Sequence, residues 1–476
     1  MTIENIVLLT VFVPVIGSLT IPVASLISKR ARSVWSVLLG LATTVLPMML
    51  IPFALGSNEL IIRKSLFPGF DFVLVVDALS IFMSIVSSFI GFLIIIYSLG
   101  YTKHDENQNE YYLMVVMFIG SMMGLVYSAN LIFMYLFWEI AAICCWRLIG
   151  FYRSSIQVLK ADKAFLVTFF GAAMMLLGFI AIYAQTGTFD LTAMRGVMIS
   201  SQAVLLILLG MFSKSATVPL HTWLPDAGVA PTPVTAILHA AVLVKIGVYA
   251  FARIFCYTFQ IPEFWSHALP IIAVSSSLIA AAAAMMETDM KRILAYSTIS
   301  QIGYIFLGFS EMNPIGVTGG LLFILMHGLG KAGLFLCAGV VEHNTHKRDI
   351  RELGGLIITM PITAITFLLC SLSVIGIPPF GGFFSKFMVI SSAVKNGQFF
   401  VASLGLFVAI LTLFYLFRIF NAVFLGELKI SVVEKTPLML VVIVTLAALS
   451  LLAGIFVMYP VNFANVASLE ILKVIK

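Results

Sequence analysis

Runs of apolar residues long enough to cross a bilayer follow one another along almost the whole of this chain. A membrane-spanning helix needs about 20 such residues, whereas a soluble helix carries an apolar stripe rather than an apolar circumference. Fourteen stretches qualify: 6–28, 34–55, 76–99, 111–128, 130–150, 163–184, 197–219, 233–257, 267–286, 292–310, 315–340, 359–394, 400–424 and 437–459. Composition agrees. Of 476 residues 61% are hydrophobic and 10% charged, and the mean hydropathy is +1.11; soluble domains carry about 45–50% apolar and about 25% charged residues. Such a chain cannot cover a globular surface with polar groups. Extracellular, disordered, nucleic-acid-binding and ordinary cytosolic classes are excluded, and the sequence reads as an all-α polytopic membrane protein with about 14 transmembrane helices. The first run is preceded by Glu4 rather than a basic lead-in and is long enough to span, so it is expected to be a spanning segment and not a cleaved signal.

Two of the runs contain helix breakers. Pro219 interrupts 197–219, and Pro378-Pro379 with Gly381-Gly382 interrupt 359–394. Each interrupted run holds one Phe-Ser-Lys, in GMFSKSATVP around Lys214 and in GFFSKFM around Lys386. Paired broken helices in two halves of a membrane chain point to an inverted-repeat transporter with its site near the midplane. The expected divisions are a three-helix segment (1–110), a first repeat (111–257), a second repeat (267–425) and a C-terminal helix (426–476).

Basic residues set orientation. They concentrate in the loops that would share a side with Lys29, Arg30 and Arg32, among them Lys160, Lys163, Lys291, Arg292, Lys347 and Arg348. They are sparser on the side of Arg63, Lys64, Arg195, Arg253, Lys395, Lys473 and Lys476. By the positive-inside rule both termini are expected on the non-cytoplasmic side of the cell inner membrane.

The informative residues are the charges inside the spans: Lys214, Lys245, Lys331, Lys386, Arg418 and Glu139, with His239 and His327. A charge at mid-bilayer costs about 2.5–3.5 kcal/mol on insertion scales, so such groups face one another or a hydrated interior. Lysine, unlike arginine, can lose its proton when buried and regain it beside a carboxylate. Glu139 is the natural partner for one lysine, and histidine titrates near neutrality. His327 and Lys331 are i, i+4 and share a helix face; His239 and Lys245 are six apart and do not. Together they describe a polar axis parallel to the membrane. For Arg418 the structural reading, a charge that snorkels or holds helix ends, is preferred, and for Asp77 and Asp226 that of helix-end caps. Cys144, Cys145, Cys256, Cys337 and Cys370 lie in apolar stretches without metal spacing, so neither a cluster nor a disulfide framework is expected. No cofactor is assigned to the chain.

The runs FWEIAAICCWRLIGFY (137–152), KSATVPLHTWLPDA (214–227), DMKRILAYSTISQIGY (289–304) and MHGLGKAGLF (326–335) resemble the antiporter-like subunits of respiratory complex I, Mrp-type sodium/proton antiporters and the membrane arms of energy-converting hydrogenases. The resemblance covers about residues 70–425. It implies two inverted five-helix repeats, each with one broken helix. It further implies a proton relay in which Glu139 switches Lys214, Lys245 with His239, His327 and Lys331 connects, and Lys386 serves the exit. Phe169 and Ala172 stand where the largest complex I type carries an Arg and an Asp, which favours a compact Mrp-like or hydrogenase-like subunit. The expected function is ion translocation (protons, with Na+ as the further cation) within a multisubunit redox-driven or antiporter complex. Expected partners are other membrane subunits, including homologous antiporter-like ones, a peripheral redox arm and the lipid bilayer, and no nucleic acid. The expected subunit is a translocase without its own redox centre. A proton-coupled inorganic carbon uptake complex, with a carbonic-anhydrase-like soluble partner, is the alternative. A scaffold with idle charges is the third reading.

Overall fold

A computed structural model describes residues 1–67 and 70–473. Two helices, α1 (Ile3–Leu19) and α2 (Ile21–Ile27), meet at 51° and are followed by α3 (Lys29–Met48) and α4 (Ile51–Leu55). An antiparallel hairpin, β1 (Leu60–Phe67) and β2 (Phe70–Val76), comes next, with Leu60 opposite Val76 and Ser65 opposite Asp71. Then come α5 (Ala78–Tyr101), α6 (Gln108–Tyr127), α7 (Leu131–Ile149), α8 (Ser155–Thr186), α9 (Ser201–Ser215) and α10 (Trp223–Asp226). The stretch Thr232–Thr258 is one apolar span made of α11 (Thr232–Ala236), a π-helical turn (Ile237–Ala241), α12 (Leu243–Phe251) and a second π-helical turn (Ala252–Thr258). The chain continues through α13 (Glu263–Met286), α14 (Met290–Ser310), α15 (Pro314–Thr345), α16 (Pro361–Ile375), α17 (Gly381–Lys395), α18 (Phe399–Phe424), α19 (Pro437–Ile455) and α20 (Met458–Lys473).

Among the described residues eleven helices are long and apolar enough to span a membrane, and twelve if the bent α1–α2 pair is one span. The two interrupted segments, α9–α10 and α16–α17, occupy the remaining positions of the fourteen expected runs. The protein is a multi-pass membrane protein. Large apolar side chains stand exposed along the outer helices, such as Leu166, Phe170 and Leu177 on α8 and Leu406, Ile410 and Phe414 on α18. Their spacing of four and seven residues marks one face of each helix, the face offered to acyl chains.

From α6 and from α13 the chain runs twice through a similar series of five segments. In each series the third helix has 32 residues (α8 and α15) and the fourth is interrupted (α9–α10 and α16–α17). An odd number of crossings reverses direction, so the second series starts from the opposite side and is inverted. Short bridges tie the connections at each end: Leu74 with Ser128, Asn130 with Asp190 and Met198 with Gln260 on the hairpin face, and Asp289 with Asp349 on the other.

The all-α class holds for the membrane-spanning part, to which the fold adds one short antiparallel hairpin, β1 and β2, on either side of Pro68-Gly69 in the sequence; the structure of Pro68 and Gly69 lies outside the described residues. Two expectations need correcting. The final segment holds two helices, α19 and α20, since Tyr459-Pro460 stops the first run. Arg253 is not a loop charge: it lies within the second π-helical turn, fully buried. Lys476, counted toward orientation, lies outside the described residues.

Candidate functional site

The two breaks have one electrostatic plan. Helix α9 stops at Ala216, which takes a left-handed conformation, and Lys214 sits in its last turn. Trp223 Nε1 donates to Ser213 O at 2.9 Å, satisfying one of the carbonyls that the break frees. Helix α16 stops at Gly376, with φ of +90°, and Lys386 reaches back from α17 to donate to Val374 O (2.9 Å) and Ile375 O (3.2 Å). The Lys386 ammonium therefore lies at the C-terminal end of a half-helix, where the macrodipole is negative and a cation is favoured, and Lys214 belongs to the last turn of the other half-helix.

Between the breaks the buried groups form a partly connected line. Lys214, His239, Lys245, His327 and Lys331 are all 0% exposed and Lys386 is 4% exposed. Lys245 Nζ lies 2.7 Å from His327 Nδ1, joining the Thr232–Thr258 span to α15. It also donates to His239 O at 3.3 Å, because the π-helical turn brings that carbonyl back toward Lys245. Lys331 donates to Ser297 Oγ (2.6 Å) and Leu294 O (3.1 Å) on α14. Ser297 in turn donates to Tyr415 OH at 2.8 Å, and Gln301 Nε2 reaches Tyr415 OH (3.3 Å) and Thr412 Oγ1 (3.2 Å). Lys386 Nζ sits 4.9 Å from the centre of the Tyr304 ring and 5.6 Å from that of Phe323. Like charges at neighbouring sites along this line repel one another.

Other expected partners are less tightly joined. Lys214 Nζ has no hydrogen-bond partner among the described residues and lies 5.7 Å from the centre of the Trp138 ring. Glu139, the next residue on α7, forms no ion pair with it, although the two charges interact; its Oε1 has no hydrogen-bond partner among the described residues. Glu139 is only half-buried, and Asp77 and Glu311 are more deeply enclosed. The His239 ring lies against Phe335, 4.5 Å between centres and tilted by 32°, and neither nitrogen has a hydrogen-bond partner among the described residues. Arg418 donates to Ala284 O at 3.1 Å and to the carbonyls of Met285 and Glu287, so it caps α13 as its structural reading required.

Several groups were missed by sequence reasoning. Ser297, Gln301, Thr412 and Tyr415 carry no charge, and only their i, i+4 and i, i+3 spacing within apolar helices marks them. Asp77 caps α5 through Ser80, but it also forms a buried ion pair with Arg253 at 2.6 and 2.9 Å. Lys291 pairs with Glu342 at 2.6 Å. Asp226 ends α10 between Lys163 and Arg292, each at 2.7 Å. Burial acts to raise the Asp226 carboxyl, yet the two cations hold it below the usual carboxylate range. Among the described residues no His, Cys, Asp and Glu group is placed to hold a metal, and all five cysteines are buried thiols.

The family described as NADH:quinone oxidoreductase/Mrp antiporter, TM, matches residues 128–412, which hold every group of the axis except Tyr415. The chain belongs to this family. The complex I chain 5 N-terminal family matches residues 69–112. Among curated relatives, an A1-type Na(+)/H(+) antiporter subunit from Staphylococcus haemolyticus is 33% identical, over 94% of this chain and 60% of the relative. A Na(+)/H(+) antiporter subunit from Alkalihalophilus pseudofirmus is 36% identical, over 82% of this chain and 53% of the relative. This chain thus spans about three-fifths of the length of the first of these relatives. Among solved structures, a chain of the Mrp complex from Dietzia sp. DQ12-45-1b superposes with a TM-score of 0.91 at 23% identity, covering all of both chains. A chain of the archaeal membrane-bound sulfane sulfur reductase gives 0.88 at 24% identity, covering 98% of each. At these identities the structures share the fold.

Proposed function

We propose that this member of the family is an ion-translocating membrane subunit of a multisubunit antiporter complex, exchanging protons with Na+. Protons pass laterally through Glu139, Lys214, Lys245 with His239, His327, Lys331 and Lys386. The reading rests on one observation above the others: a buried lysine ammonium and a buried histidine ring from different helices stand 2.7 Å apart, with another lysine one turn along. A buried structural lysine is expected to be paired with a carboxylate, as Lys291 at the start of α14 is with Glu342. Lys245, Lys331 and Lys386 have no such ion pair among the described residues; carbonyl, hydroxyl, imidazole and ring-face contacts surround them. That environment stabilises either protonation state only modestly, which suits a group that must change it.

In this mechanism approach of Glu139 to Lys214 holds the lysine protonated, and separation sends the charge toward Lys245. Like-charge repulsion then propagates along the line to Lys386 without large movement of any helix. The names of the curated relatives favour sodium/proton exchange over a redox-driven arm. The partners are other membrane subunits, homologous antiporter-like chains among them. The sparser basic charge on the hairpin face supports placing both termini on the non-cytoplasmic side of a cell inner membrane.

The test is proton flux in liposomes carrying the assembled complex. Lys245→Ala and Lys386→Ala are expected to abolish flux, and Glu139→Gln to uncouple it from the driving gradient. Wild-type flux in both lysine variants would leave only the scaffold role. Mass spectrometry of the gently solubilised complex checks the partners: cofactor-free membrane subunits support an antiporter, and iron–sulfur or nickel–iron subunits overturn it.

A further inference from the structure

Beyond Lys386, toward the hairpin face, helix α17 ends against a small polar pocket that the relay does not use. A cavity of about 270 Å³ is lined by Ser266, His267, Ser310, Glu311, Met312, Asn396 and Gln398. Glu311 follows the last residue of α14 and is only 4% exposed. Its Oε2 accepts from Asn396 Nδ2 at 2.7 Å, and its own main-chain carbonyl accepts from the same nitrogen at 2.9 Å. Its Oε1 is buried and has no hydrogen-bond partner among the described residues. An ionised carboxylate oxygen left bare inside a protein carries the full cost of its lost hydration, unless a proton or a cation meets it.

The pocket is joined to the helix of Lys386. Asn396 Oδ1 accepts from Asn313 Nδ2 at 3.1 Å, and the same amide nitrogen donates to Ser392 Oγ at 3.0 Å. Ser392 lies in the last turn of α17, six residues beyond Lys386, and Asn396 caps the end of that helix four residues later. Ten residues of helix separate Lys386 from Asn396, about 15 Å along the axis. This short row of hydroxyl and amide groups runs beside the close packing of Gly308, Gly316 and Gly319 against Val389 and Ser392.

We propose that Glu311 is the proton-exchange site at which the lysine line ending in Lys386 meets the aqueous phase on the hairpin face. The proposal rests on the relay reading above. The proton released on the Lys386 side is taken up by Glu311 Oε1 and passed to water in the pocket, and in the reverse direction the same oxygen loads it. Nothing else changes bonding. Burial pushes the Glu311 carboxyl up to about 7, the Asn396 hydrogen bond opposing the shift. An acid–base group exchanges best when its affinity for the proton lies near the ambient pH. The titratable group facing Glu311 across the pocket is His267 of α13. Lys395, beside Asn396 on α17, is exposed, and α15 presents the uncharged Asn313. Among the described residues Glu311 forms no ion pair, so no neighbouring cation fixes it in the charged state.

The experiment combines infrared titration with transport, both on the assembled complex. Wild type is expected to show a protonated-carboxyl absorption that disappears with a midpoint near pH 7, and a matching inflection in the pH profile of proton flux. Glu311→Gln should remove both and slow flux at least about 10-fold. A Glu311→Gln complex that transports with the wild-type pH profile overturns the proposal, whatever its infrared spectrum. If that variant does not assemble, Glu311→Asp decides: a displaced inflection supports the proposal, and an unmoved one overturns it. Failure of the underlying relay is separate. It would appear as wild-type flux in Lys386→Ala, with the Glu311 absorption still titrating.

Discussion

Removing the carboxylate charge from Asp77 isolates a buried ion pair. Both oxygens of Asp77 accept from Arg253, at 2.6 and 2.9 Å, and the two side chains are 2% and 1% exposed. Arg253 Nε also donates to Tyr249 OH at 2.9 Å, so this end of the guanidinium is fixed in a buried position. Asp77→Asn keeps the side-chain shape, and asparagine is as good an N-cap for α5 as aspartate. What the variant loses is the counter-charge, leaving a buried guanidinium unpaired. Breaking a buried pair in this way costs about 3–5 kcal/mol. At about 1.36 kcal/mol per decade that is about 2.2 to 3.7 decades in the folding equilibrium. Chemical unfolding of the purified protein in detergent micelles, followed by circular dichroism, measures it. The double variant Asp77→Asn/Arg253→Met removes both charges and is expected to recover most of the loss. A single variant within about 1 kcal/mol of wild type, or a double variant no better than the single, would refute the reasoning.

Two further outcomes are expected. A Cβ at Gly454 would stand 2.2 Å from Pro379 O and 2.5 Å from Gly381 N, so Gly454→Ala pushes α19 off the break between α16 and α17. Overpacking of this kind costs about 1–3 kcal/mol; it should lower flux together with thermal stability, and unchanged flux would separate the turn from Lys386. Asp226 is held below the usual carboxylate range by Lys163 and Arg292. Its contribution to stability is therefore complete above the unfolded carboxylate value, near pH 4, and is lost as the pH falls below it. Asp226→Asn should flatten that acid limb of a stability–pH curve, and an unchanged limb would exclude the site as its cause.

The fold and the axis were legible to different degrees. Apolar run length is a local property, so the spans, the breaks at Pro219 and Pro378-Pro379, and the intramembrane charges could be read directly. A lysine or histidine inside a span is conspicuous because the bilayer makes it expensive. Ser297, Gln301, Thr412 and Tyr415 were not seen, since hydroxyl and amide groups cost little inside a helix and are common there. Arg253 was read as a loop charge because it stands near the end of an apolar run, and only the fold brings Asp77 to it across 176 positions of sequence.

The sequence by itself determined that this chain lives in a membrane, how many times it approaches crossing it, and which ionisable groups it carries inside. It could not order those groups. Lys245 meets His327 across 82 positions, Lys331 meets Ser297 across 34, and Lys386 turns back onto the carbonyls of its own broken helix. Charges buried in a low-dielectric interior are governed by distance, by what solvates them and by the nearest helix end. Distances between helices are set by packing, which is where the tertiary structure alone decided.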